Sequence, residues 1–127
     1  MKYRGRVRKN KKGETAVLHT PRTMCGWSTR ARGKQAAEMM FCPEIVDLVL
    51  NCTDESRERN LTEILKLAKK KWPKVSLRMP LGLPKLYLPV CLEVAWVPSG
   101  ALVTVTDTEN IGNETVNIAY RKTHWEV

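Results

Sequence analysis

The spacing of apolar residues changes once along this chain, near Pro73. Before it, Ile45, Val46, Leu48, Val49 and Cys52 make one stripe at helical spacing, and Leu61, Ile64, Leu65 and Ala68 make a second. After it the period is two. Val75, Leu77, Met79 and Leu81 alternate with Ser76 and Arg78, and Leu86, Leu88, Val90, Leu92, Val94 and Trp96 share one face opposite Tyr87, Cys91, Glu93 and Ala95.

Boundary residues sharpen these elements. Pro43 suits the first position of a helix, and Glu44 beside it suits the positive helix end. Asn60-Leu-Thr-Glu63 fits an N-cap with an acid three residues on, Lys69 to Lys71 suit the negative end, and Pro73 stops the helix. Helices are thus predicted over about 43–52 and 61–72, with the charged linker 53–59 able to extend the second backward and Gln35 to Met40 forming a single short turn. Pro80, Pro84 and Pro89 confine the first β segments to edges. Turns at Pro98-Ser-Gly100 and Asn110 to Asn113 separate strands at 102–108 and 115–121, and residues 14–18 form a further short strand. Short connections between consecutive strands predict an antiparallel meander. The expected fold is α+β: a basic N-terminal arm, two short helices, then a three- to four-stranded antiparallel sheet over about 74–121 with the helices on one face. With 127 residues, a flexible arm over 1–13 leaves one domain over 14–127. Hydrophobic residues make up 43% of the chain but aromatics only 6%, so an aliphatic core is expected.

Charge divides the chain differently from hydropathy. Residues 1–41 hold eleven Lys and Arg against Glu14 and Glu38, a balance of +9 that equals the formal charge of the whole chain, while 42–72 and 73–127 are each neutral. Self-repelling charge resists burial, so the basic third is where a polyanionic partner is expected. Lys2, Arg4, Arg6, Arg8, Lys9, Lys11 and Lys12 are seven bases in twelve residues without an acid. Met by phosphates, they predict tight, salt-sensitive binding with little sequence reading. Arg22, Arg30, Arg32 and Lys34 surround Trp27 in a basic loop over 22–34 bracketed by Gly26 and Gly33. Guanidinium groups pair with phosphates and an exposed indole stacks on unpaired bases, a combination that favours RNA over DNA. The alternative for Trp27 is a plug in the core. Lys69, Lys70, Lys71 and Lys74 form a third cluster, explained by the helix dipole and available as an auxiliary phosphate contact.

Other chemistry is poorly represented. No nucleophile motif, phosphate loop or paired metal-carboxylate spacing surrounds His19 or His124, so neither catalysis nor a cofactor is expected, and a small nuclease using either histidine is the weakest reading. Cys25, Cys42, Cys52 and Cys91 match no zinc or redox spacing and are expected to be free thiols in an intracellular, reducing compartment; no metal site is expected. Asp107, Glu109 and Glu114 are read as turn chemistry before a cation site. No apolar stretch approaches a membrane span and no basic-then-apolar leader opens the chain, so no membrane partner is expected. The sequons at Asn51, Asn60 and Asn113 are taken as chance.

Two resemblances complete the reading. The fourteen residues Phe41-Cys-Pro-Glu44-Ile45-Val46-Asp-Leu-Val49-Leu50-Asn-Cys-Thr53-Asp54 resemble the segment that opens the ordered part of piggyBac-type transposases, with Asp54 where those have Asn. That resemblance implies a transposase-derived DNA-binding fragment, although the strands after Pro73 lack the aspartate-bearing catalytic pattern. A basic arm ahead of a β-rich half is similar to small viral RNA-binding proteins such as capsid or movement proteins, and to ribosomal proteins with basic extensions. The leading expectation is a non-enzymatic nucleic-acid-binding protein. The alternative is an assembly subunit of a larger ribonucleoprotein or viral particle, a homo-oligomer included, with the sheet as its protein–protein interface.

Overall fold

Prolines cut the helical half of the molecule into its pieces. The computed structural model describes residues 3, 5–21, 26–75, 92–108 and 113–119. Within them, α1 (Gly33–Phe41) ends where Cys42 is forced to φ −53°, ψ 111° by the ring of Pro43, and α2 (Pro43–Leu50) begins at that proline. In α3 (Arg57–Lys71) the same restriction acts at Trp72, whose φ of −133° and ψ of 67° precede Pro73 and stop the helix. Among the described residues, three helices therefore stand where two were expected. The supposed short turn at Gln35 to Met40 is a full helix, built from residues of high helix propensity and buried at Met39.

The start of α3 also departs from expectation. Asn60 is not its N-cap: the helix reaches back through the charged linker to Arg57, and Asn60 is buried in its first turn. Its Nδ2 donates to the Leu48 carbonyl at 3.0 Å, near the end of α2, satisfying an acceptor that the helix itself leaves open. The connection between the helices is closed by reciprocal bonds, from the Thr53 amide to Ser56 Oγ at 2.9 Å and from the Ser56 amide to Thr53 Oγ1 at 3.2 Å.

Four strands form two antiparallel pairs among the described residues. β1 (Thr15–His19) pairs with β2 (Glu93–Val97), from Thr15 opposite Val97 to His19 opposite Glu93. β3 (Leu102–Thr108) pairs with β4 (Asn113–Ala119), from Leu102 opposite Ala119 to Thr108 opposite Asn113. The α+β class holds, but the single meander does not. β2 finds its partner at the start of the chain and not in β3, although only four residues separate β2 from β3. The strands expected over residues 76–91 lie outside the described residues. No helix among the described residues is long and apolar enough to cross a membrane.

Register decides the core. Ala16 and Leu18 on β1 share a face with Trp96 and Val94 on β2. That face meets Met39 of α1, Ile45 and Val46 of α2, and Ile64 and Ala68 of α3, where positions four apart point the same way. Trp27 and Trp72 fill the middle, with ring centroids 6.1 Å apart and planes at 88°. The core is thus centred on an edge-to-face indole pair, not on aliphatic side chains alone. Burial of each indole contributes about 5 kcal/mol by area, an upper value.

Candidate nucleic-acid interface

Of the expected flexible arm, residues 3 and 5–13 are described, and they lie against the body. Asn10-Lys-Lys-Gly13 makes a tight turn. The Asn10 side-chain oxygen accepts from the Lys12 and Glu14 amides at 3.0 and 2.9 Å, and Gly13 takes the left-handed φ of +79° that closes a turn of this length. The chain returns along β1, where the Ala16 amide donates to the Arg8 carbonyl at 2.9 Å and Lys9 bridges to Thr15. Asn10 and Gly13 supply turn chemistry here that the density of bases conceals in the sequence.

Side chains then fasten the hairpin to α2. Arg6 pairs with Glu44, and Arg8 Nε donates to Asp47 Oδ1 at 2.9 Å. Lys9 Nζ reaches Ser99 Oγ at 3.5 Å. Tyr3 stacks on Phe41 with centroids 4.8 Å apart, and burial, then the charge of Glu38, pushes its phenol above its ordinary value. Lys11 and Lys12 stand exposed at the tip. Lys2 and Arg4 lie outside the described residues.

The arm meets the α3 cluster at Glu44. Lys71 Nζ lies 4.0 Å from the carboxylate oxygen that Arg6 also contacts. A cleft of about 270 Å³ opens there between Tyr3, Arg6, Glu38, Glu44, Lys71 and Trp72, with the Trp72 indole donating to Glu38 Oε2 at 3.1 Å. Glu44 is pulled down to about 2, first by its own backbone amide and next by Arg6. Lys69, Lys70, Lys71 and Lys74 are all exposed around this helix end.

The described part of the basic loop, residues 26–34, is anchored from within. Trp27 is wholly buried and its Nε1 donates to the Met39 carbonyl at 2.7 Å, so it anchors the core and does not present a stacking face to a base. This corrects its place among the expected nucleic-acid contacts. Arg30 folds over Gly26, where an added Cβ would meet its Nε at 2.9 Å. Arg32 and Lys34 are exposed at the start of α1, whose first turn holds no acid to offset the positive helix end. Arg22 lies outside the described residues.

Comparisons with protein-family models, curated proteins and solved structures give no match to this chain. Function must therefore be read from the residues themselves.

Among the described residues, a heavily hydrogen-bonded buried carboxylate stands where the sequence points to turn chemistry. Glu114, 2% exposed, accepts five hydrogen bonds from the loop that leads to α1. Oε1 takes the Thr20 amide at 3.0 Å and its hydroxyl at 3.1 Å. Oε2 takes the Trp27 amide at 2.8 Å and, from Thr29, the amide at 3.0 Å and the hydroxyl at 2.6 Å. The Glu114 amide in turn donates to the Thr20 carbonyl at 2.7 Å. This carboxylate ties the β3–β4 pair to the segment that aims Arg30, Arg32 and Lys34. One signal for it was in the sequence: strand alternation puts Glu114 on the face of Val116 and Ile118.

Remaining candidates are dispersed. His19 stands opposite Glu93, and its Nδ1 is buried without a hydrogen-bond partner. Burial pushes its imidazole below the ordinary value, against the opposing pull of Glu93 and Glu114. His124 lies outside the described residues, as do Cys25 and Cys91. Cys42 and Cys52 are free thiols, and no three potential ligands converge as a metal site among the described residues.

Proposed function

We propose that this chain is a non-enzymatic nucleic-acid-binding protein that contacts phosphates through its basic third. The observation that carries the reading is the confinement of the whole +9 charge to residues 1–41, with Lys9, Lys11, Lys12, Arg32 and Lys34 among its exposed bases. Lys69, Lys70, Lys71 and Lys74 extend the basic surface, since Lys71 and Arg6 converge on one carboxylate. Burial of Trp27 removes the ground for preferring RNA through base stacking. The proposal is accordingly of backbone binding with little base selectivity, in which RNA and DNA compete on equal terms.

The test is fluorescence anisotropy with single-stranded RNA, duplex RNA and duplex DNA over a salt series. Binding through all seven arm bases predicts a slope of about −5 against log salt for a single strand, whereas Lys9, Lys11 and Lys12 alone predict about −2. Absence of salt-dependent binding to all three probes would sink the proposal.

A second reading, an assembly subunit, has one observation in its favour. Leu102 and Ile118, 51% and 43% exposed, sit at the open end of the β3–β4 pair. Light scattering after nuclease treatment separates the two readings: a nuclease-resistant oligomer supports assembly, and a monomer that shifts only with nucleic acid supports binding. The transposase-like segment adds nothing further, because its apolar positions Ile45 and Val46 are in the core.

A further inference from the structure

The bases assigned to phosphate contact are not all free to make it. Arg6 and Arg8 alternate along the limb of the hairpin that precedes the Asn10 turn, and each meets a carboxylate of α2. Glu44 and Asp47 are three residues apart, one helical turn, so they face the same way with about 4.5 Å of rise between them. Two residues of extended chain span about 6.6 Å. The two spacings differ by about 2 Å, which long arginine side chains take up, so each arginine reaches its own carboxylate.

These pairs are open to exchange. The side chains of Arg6 and Glu44 are 74% and 37% exposed, those of Arg8 and Asp47 47% and 52%. Ion pairs in such positions are weak, because water screens both partners and long side chains lose freedom in making them. The hairpin itself is held separately, by the Asn10 turn and the bond from the Ala16 amide to the Arg8 carbonyl. The two guanidinium groups can therefore change partners while the backbone stays in place. Glu44 also holds Lys71, so one carboxylate restrains bases from both the arm and α3.

We infer that α2 carries an internal competitor for nucleic acid, in which Glu44 and Asp47 occupy Arg6 and Arg8 until the phosphates of a bound strand replace them. This rests on the nucleic-acid-binding reading and adds its regulation. Affinity is lowered by the strength of two exposed ion pairs, about 2- to 30-fold. Lys11 and Lys12 make the first contact from the tip, and the arginines follow.

The experiment uses the full chain and a single-stranded oligouridylate at low salt, read by anisotropy. Glu44→Gln/Asp47→Asn is compared with wild type and with Glu55→Gln/Glu63→Gln, which removes the same charge from exposed acids elsewhere. The comparison separates local competition from net charge. The α2 variant is expected to bind about 2- to 30-fold more tightly than the charge-matched control, and Arg6→Ala/Arg8→Ala less tightly than wild type. Equal affinity of the two acid variants, with wild type binding normally, overturns the competitor and leaves the nucleic-acid reading intact. Failure of wild type and every variant to bind overturns the nucleic-acid reading, and the competitor with it.

Discussion

Replacing Glu114 by Ala is the most severe single change that the structure predicts outside the apolar core. It removes the carboxylate that accepts from three backbone amides and two hydroxyls, at Thr20, Trp27 and Thr29. Hydrogen bonds to a charged group contribute about 1.5–3 kcal/mol each, but five such values do not add, because the native carboxylate is itself desolvated and water re-satisfies some donors in the variant. Loss of one partner from a buried charged network costs about 3–5 kcal/mol. For a chain of this size, that lowers Tm by about 10–20 °C. Circular dichroism melts and urea titrations of Glu114→Ala, Glu114→Gln and the exposed control Thr106→Ala measure it. Gln keeps the shape and one acceptor but turns an NH₂ toward donors, so it should fall between Ala and wild type. A Glu114→Ala variant within about 1 kcal/mol of wild type would refute the reasoning.

Three further outcomes follow from named geometry. Glu44 sits at about 2 in the folded chain against an ordinary 4.5, so the stability it lends is full above pH 4.5 and lost as pH falls toward 2. Because the side chain is 37% exposed and water screens it, the loss is below about 1 kcal/mol, and Glu44→Gln should flatten that part of a stability–pH curve measured by denaturant titration. Gly13→Ala meets no atom but must hold φ at +79°, which costs about 1 kcal/mol. Hydrogen exchange at the Ala16 amide, bonded to Arg8, should accelerate in that variant. Burial pushes the Cys42 thiol up and leaves it 4% exposed, so maleimide labelling of the native chain, followed by mass spectrometry, should modify Cys52 well before Cys42.

The helices were largely legible in the sequence because their causes are local. Pro43 and Pro73 act on the residue before each, and the stripes of α2 and α3 are sums over neighbours four apart. The same local evidence misplaced Asn60, whose amide serves the Leu48 carbonyl twelve positions away, a partner no N-cap pattern encodes. Strand pairing was less legible. Alternation fixes which side chains share a face but not which strand lies alongside, so the short connection to β3 predicts a meander in which β2 pairs with β3, whereas β2 pairs with β1. In the arm, seven bases in twelve residues obscure the two turn residues, Asn10 and Gly13, that fold residues 5–13 back along β1. Sequence leaves Trp27 open between stacking and packing, and its burial with the bond to the Met39 carbonyl decides for packing.

The pairing of β1 with β2 has a consequence for synthesis. Its partners lie 74 to 82 positions apart, from His19 and Glu93 to Thr15 and Val97, and Thr20 and Glu114 lie 94 apart. The arm hairpin and the three described helices come before β2 in the chain. A contact of such separation forms slowly, because closing a long loop must precede the contacts that reward it. On the ribosome, β1 emerges with its second edge bare and the Trp27 loop without its carboxylate. The basic surface is therefore presented to the cell before the body that orders it is closed.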